Sequence, residues 1–208
     1  MKRTLASLFL YFAVIAAQAQ KTYSDPHDIY ITDELTFYGY DFSQTKLVET
    51  KRIGEDLGQY VFGWVGFLQE RFNDEKIADW FRKKKAHVDF GPTIEQNKKV
   101  NGKEIAVYTK NTILLDSIQQ MVNKYQLKEK DGIGLVVIVE SFDKNTVKTS
   151  VYFTFFDIAT KKVLVADYFV GKEADGYGLT AYWGTSLKGI TGNYASSFRK
   201  RIKSVSGK

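Results

Sequence analysis

Along residues 51–72, Ile53, Leu57, Tyr60, Trp64, Phe67, Leu68 and Phe72 recur every three or four positions. That spacing predicts one apolar side of an α-helix. Gly54, Gly58, Gly63 and Gly66 lie inside it. Each glycine costs a helix about 1 kcal/mol relative to alanine, so the pattern also predicts close packing, against a sheet. Upstream, residues 35–42 are rich in β-branched and aromatic side chains and predict the first main strand, with Leu35, Phe37 and Gly39 on one face. Downstream, Asn73 and Asp74 read as a new cap. Ile77, Trp80 and Phe81 then mark a short second helix ending in Arg82-Lys83-Lys84-Lys85, cations placed to suit its dipole. Gly91-Pro92 and Asn101-Gly102 are turn signals, with short strands expected at 87–90 and 104–108. Leu114, Leu115, Ile118, Met121, Val122 and Tyr125 restore helical spacing over 112–126.

The C-terminal part changes period. Residues 135–139 are a continuous apolar run, which predicts a central strand buried on both faces. Strands at 147–156 and 163–170 follow, each after a tight turn, and two tight turns predict an antiparallel three-stranded meander. From Thr180, Trp183, Leu187, Ile190, Tyr194, Phe198, Ile202 and Val205 form an amphipathic stripe of about 25 residues. No internal repeat or low-complexity linker is visible. The expected fold is α+β: a mixed sheet with this C-terminal antiparallel meander, and helices packed on one face.

Composition narrows the class. The chain has 208 residues, no cysteine, two histidines and 15% aromatics. Disulfide scaffolds, thiolate metal sites, cysteine nucleophiles and lipidation through cysteine are excluded. Lys2 and Arg3 precede an uncharged apolar run, Leu5 to Ala17, and then Ala17-Gln18-Ala19. This is the layout of a secretory signal peptide cleaved after residue 19. The run spans only about 20 Å as a helix, short of a hydrocarbon core of about 30 Å. Loss of Lys2 and Arg3 lowers the net charge from +6 to +4. Residues 20–208 then suit one domain without a transmembrane span, periplasmic or extracellular. So mild a charge gives no reason to expect nucleic acid.

Candidate chemistry is sparse. Gly176-Tyr177-Gly178-Leu179-Thr180-Ala181 matches the G-x-G-x-x-A dinucleotide fingerprint before a helix. It lacks the following parallel strand and the acidic ribose ligand, so no cofactor is expected. Asp25, His27 and Asp28 lie together but have no second ligand cluster, and no metal is expected. His87 reads as a strand-edge residue. No G-x-S-x-G elbow accompanies either histidine. Among carboxylates, Glu140 closes the buried strand and Asp157 and Asp167 lie on the same meander, an arrangement a glycan hydrolase could use. No catalytic residue is assigned. Eleven aromatics fall between residues 151 and 198. Most suit a core, whereas Tyr177, Tyr182 and Trp183, around the glycine loop, are the candidate binding residues. The basic runs 82–85 and 199–203 read as solvated helix ends, or as contacts for an anionic envelope polymer.

The segment Phe155-Phe156-Asp157-Ile158-Ala159-Thr160-Lys161-Lys162-Val163-Leu164 resembles a hairpin of the TolB N-terminal-like and CsgG-like α/β modules of bacterial envelopes. Those modules build or regulate envelope assemblies and commonly carry glycine after the threonine, where this chain has Lys161. With Gly176-Tyr-Gly-Leu-Thr-Ala-Tyr-Trp-Gly184, the chain is similar to small secreted proteins of unknown function from Gram-negative bacteria. The resemblance implies an address and a fold, and no catalytic residues. The resulting expectation is a secreted, non-catalytic binding or envelope-assembly module whose partner is an envelope protein or glycan. The alternatives are a small glycan-directed hydrolase using Glu140 or Asp167, and a carrier of an apolar ligand.

Overall fold

The apolar run at 135–139 lies in the longest strand of the sheet, β5 (Ile133–Asp143). The computed structural model describes residues 20–110, 112–171 and 176–205. The expected signal peptide and residues 172–175 of the glycine loop lie outside these. One edge of β5 pairs antiparallel with β6 (Lys148–Asp157), and β6 pairs antiparallel with β7 (Val163–Gly171). The other edge carries two strands end to end, both parallel to β5: β1 (Glu34–Asp41) beside Gly134 to Ile138, and β2 (Lys46–Val48) beside Ser141 to Asp143. β3 (Lys85–Val88) adds in parallel outside β1, and β4 (Ala106–Val107) outside β2.

The α+β class fits this mixed sheet. Most of its pairings are parallel, however, and the sequence pattern showed none of these. Parallel neighbours are joined by long crossovers rather than tight turns, so no local turn signal marks them.

Helices cover both faces, which corrects the expectation of one. α1 (Asp28–Ile31), α2 (Gly58–Gln69), α3 (Asp74–Phe81) and α6 (Gly178–Val205) pack on the face that presents Phe37, Leu135, Val137, Phe153 and Phe155. α5 (Leu115–Asn123) covers Tyr38, Val136, Ile138 and Phe156 on the other. A strand apolar on both sides needs cover on both. The first face is an aromatic stack. Tyr194 of α6 lies on Phe153 with ring centroids 3.7 Å apart. Phe198 stacks on Phe155 at 5.3 Å and Trp183 on Phe142 at 4.8 Å. These are turns of the stripe read from the sequence, seated on alternate strand positions.

Three register shifts break the alternation among the described residues, in β1, in β5 and between β6 and β7 at Phe155/Phe156. Gly39 sits at φ +77° where the β1–β5 register shifts, and a Cβ there would meet the Phe90 ring at 2.5 Å. The extra residue turns Tyr40 onto the same face as Phe37. In β5 the register shifts between Val139 and Ser141, so that Val139 and Phe142 share the α6 face.

The predicted helix over 51–72 is shorter. Residues 51–57 are not helical: Gly54 takes φ +81°, and the Asp56 carboxylate accepts the Gly58 N–H at 3.0 Å, where α2 begins. The close packing expected of the glycines is made with α6 rather than with the sheet. A Cβ on Gly63 would lie 2.8 Å from Thr180, and one on Gly184 of α6 would lie 2.5 Å from Phe67. α3 starts at the Asn73 cap, whose side chain accepts the Lys76 N–H. It ends at Arg82 in the left-handed region, φ +53°.

Gly91-Pro92, read as a turn, instead opens a short helix, α4 (Gly91–Asn97). Its proline stands in the first turn, where no N–H is needed. α4 finishes the edge of β1 that β3 leaves open. Thr93 donates to the Tyr38 carbonyl at 2.7 Å, and Asn97 both donates to Tyr40 O (2.9 Å) and accepts from Phe42 N (2.7 Å).

The basic run 82–85 is not uniformly solvated. Lys83 is buried, and its Nζ donates to Ile29 O, Thr32 O and Thr32 Oγ1 at the end of α1. Burial pushes its ammonium pKa down to about 8.

Candidate interaction surface

β7 is the sheet's outermost strand on the β6 side, and among the described residues no strand pairs with its other edge. Along it, Val165, Asp167 and Phe169 face α6, while Ala166, Tyr168 and Val170 face the α5 side. α5 closes only the start of this region: Gln119 accepts the Val163 N–H at 3.0 Å and donates to Lys161 O at 2.8 Å. Further along, Tyr168 and Val170 remain 46% and 44% exposed.

Beneath Tyr168 lies an ion pair whose carboxylate is buried and whose lysine is exposed. The bulge in β5 leaves Glu140 on this face, 1% exposed. Its Oε2 accepts the Tyr168 hydroxyl at 3.0 Å and meets Lys110 Nζ at 2.5 Å. Its Oε1 accepts the Ile113 N–H at 3.1 Å. Lys110 also donates to the Tyr168 oxygen, and Tyr152 donates to the Ile113 carbonyl. Burial opposes the Lys110 ammonium, but its bonds to Glu140 and Tyr168 outweigh that and raise its pKa. Glu140 thus fastens the segment around Lys110 and Ile113 to the sheet. That segment exposes Tyr108 and Leu114, and α5 starts with exposed Leu115. With Tyr168 and Val170 they give this end of the sheet its exposed apolar character.

The residues singled out from sequence are dispersed. Tyr177 is fully exposed just before α6. Tyr182 is half-buried and meets Trp183 edge-on at 4.9 Å. Trp183, grouped with them as a binding residue, is wholly buried, because the helical stripe carries it onto Phe142. Its Nε1 finds no hydrogen-bond partner among the described residues. Gly176 and Gly178 take φ +114° and +78°, so the glycines of the dinucleotide-like motif serve the turn into α6.

Glu140 and Asp167 share the sheet but project to opposite faces. Asp167 accepts the Tyr194 hydroxyl at 2.6 Å and pairs with Arg201 at 2.5 Å, tying α6 to β7. Asp157 is buried in its turn, where it accepts Thr160 N (2.9 Å), Thr160 Oγ1 (2.5 Å) and Tyr23 N (3.1 Å). Lys161 follows at φ +59°, a left-handed conformation that glycine takes without strain. Here the lysine caps α5, donating to Asn123 O and Tyr125 O.

Asp25 and Asp28 accept backbone N–H groups of the first turn. His87 stands 3.5 Å from Glu129 and 3.9 Å from Asp74 at the surface. It lines a groove of about 850 Å³ at the amino ends of β1, β3 and β5, with Asp33, Glu34, Lys85 and Asp131. Among the described residues no group of three or more histidines and carboxylates could hold a metal ion, and no helix is long and apolar enough to cross a membrane.

Sequence reasoning missed Tyr168, Lys110 and Asp41. Alternation within β7 was the available signal for Tyr168. Asp41 is buried at the end of β1, accepting Tyr125 OH (2.6 Å) and Ser43 N (2.7 Å), and burial raises its carboxyl pKa.

Compared with family models, with curated proteins and with solved structures, the chain matches none.

Proposed function

We propose that the protein is a secreted, non-catalytic binding and assembly module of the bacterial envelope, and that β7 is its contact strand. The observation that carries this reading is the nine-residue strand β7, whose outer edge no strand pairs among the described residues, with Tyr168 and Val170 exposed beside it. An open strand edge offers a row of backbone donors and acceptors, and the outward side chains of alternate residues select what pairs with it. The partner is an extended segment of an envelope protein that adds to β7 and covers Tyr168, Val170 and Leu115. The Gram-negative envelope as its location rests on the N-terminal layout and on the resembling hairpin.

Glu140 and Asp167 give the hydrolase alternative no support, since each is already engaged in an ion pair and they face opposite sides of the sheet. A carrier needs an internal cavity, and the two sheet faces are filled by aromatic and aliphatic side chains instead.

The test is the double variant Leu115→Lys/Val170→Lys, which alters only exposed positions. Chemical cross-linking in intact producing cells should give a specific adduct with the unaltered protein and lose it in the variant, with the melting temperature unchanged. An adduct that survives in the variant would reject β7 as the contact strand. A mature N-terminus at Gln20 in the exported fraction supports secretion, and retention of residues 1–19 in the cytoplasm rejects it.

A further inference from the structure

The basic runs 82–85 and 199–203 are far apart in sequence, and the fold brings members of both to one groove. Arg82, at the left-handed end of α3, and Arg199, Lys200 and Lys203 of α6 line a groove of about 490 Å³. Ser196 and Ile202 complete its wall, and no carboxylate lines it. Among the described residues, Arg82 has one ion-pair partner, the exposed Asp79 at 3.9 Å. Arg199 donates to Ser196 Oγ at 3.1 Å. Lys200 and Lys203 have no carboxylate at ion-pair distance among these residues.

Neighbouring cations of the same runs are committed inward. Lys83 binds the carbonyls of α1, and Arg201 binds Asp167 and the Tyr30 hydroxyl. The C-terminal part of α6 therefore sorts its cations, Arg201 into an ion pair and Arg199, Lys200 and Lys203 outward into the groove. The helix dipole accounts for Lys203, which lies in the last turn. It does not account for Arg199 or Lys200, which lie more than a turn before the end, where the dipole has faded. Ile202 sets an apolar surface among the charges. Cations around an apolar wall match an amphiphilic anion: the charged head meets the basic residues and the acyl portion meets the wall.

We propose that this groove docks the protein peripherally on an anionic lipid surface. This contact is separate from β7 and does not depend on it. Near such a surface each Lys or Arg is worth about fivefold in affinity.

The purified protein is to be sedimented with vesicles of phosphatidylcholine alone and of phosphatidylcholine mixed with phosphatidylglycerol. Binding to the mixed vesicles only, weakening as salt is added, is the expected result. The variant Arg82→Gln/Arg199→Gln/Lys200→Gln/Lys203→Gln should lose roughly 600-fold in affinity. Lys200→Glu, a single exposed change that leaves the fold intact, should lose on the order of tenfold. Lys103→Gln/Lys148→Gln, at exposed positions outside the groove, should bind as the unaltered protein does. Failure to bind the mixed vesicles, equal binding to both kinds, or undiminished binding by Lys200→Glu would each overturn the proposal. So would stabilisation by inorganic phosphate without vesicle binding, which would make the groove a site for a free anion.

Discussion

On the outer side of β1 and β2, the sheet stops at two short strands, β3 with four residues and β4 with two. The gap between them is filled by side chains, as Thr93 and Asn97 of α4 take up the carbonyls and N–H that a longer β3 would have bonded. On the other side, β7 runs for nine residues with no strand on its outer edge among the described residues, and Gln119 takes up its first N–H. A short, side-chain-capped edge resists pairing with other chains, and a long open one invites it. Under the proposed function the two edges divide the labour: one ends the sheet, and the other offers it to a partner. Aromatic packing against α6 keeps β7 in place without covering its edge.

That division can be tested by breaking each part in turn. The largest effect belongs to the buried support. Trp183→Ala removes a ring stacked on Phe142 and should cost about 3–5 kcal/mol. The melting temperature should fall by roughly 10 °C. Tyr177→Ala, at a fully exposed neighbour of the same motif, should stay within about 0.5 kcal/mol. Equal effects of the two changes would contradict the burial of Trp183.

Next comes Lys83, which anchors α1 beneath Phe198. Its pKa is about 8 in the fold, against 10.5 for a free lysine. Between those values the unfolded chain holds the proton more tightly, so stability rises as pH increases from about 8 to 10.5. It is lost again as pH falls through about 8. The full difference corresponds to about 3 kcal/mol. Urea unfolding across this pH window should show the rise in the unaltered protein relative to Lys83→Met, whose profile lacks it.

A smaller cost is expected at the open edge. Glu140→Gln removes the charge beneath Tyr168 and should cost about 2 kcal/mol. It should also raise hydrogen exchange in residues 108–114 ahead of global unfolding. Uniform exchange across the domain would count against Glu140 as the tie for that segment. The smallest effect is at Lys161. Both Lys161→Gly and Lys161→Ala lose the cap on α5, but only alanine keeps the left-handed strain, so the alanine variant should be less stable by about 1 kcal/mol. Equal stabilities would mean that the left-handed conformation carries no cost here.

Much of this was legible in sequence where one local pattern decides the outcome. The stripe from Trp183 to Phe198, the doubly buried β5 and the Asn73 cap are such cases, each fixed by side chains within a turn or a strand of one another. The parallel pairings of β1 to β4 were not legible, because their partners lie tens of residues away. The bulge at Gly39 was hidden for a related reason: what forces glycine there is the Phe90 ring, about 50 positions on. At the surface, aromatic clustering near the glycine loop drew notice to Tyr177, Tyr182 and Trp183. The fold buries Trp183 and leaves Tyr168 half exposed, because an aromatic's exposure depends on which strand is last in the sheet. Composition holds no record of that order.

The most direct test of the account places a photo-reactive phenylalanine analogue at Val170, beside the open edge, and in a second sample at Phe62. Phe62 is an exposed aromatic on α2, which packs on the α6 face of the sheet, whereas Val170 faces the α5 side. Irradiation of intact producing cells should yield a discrete cross-linked species from position 170 and none from position 62. The same species from both positions, or none from position 170, would contradict β7 as the strand through which the protein meets its partner.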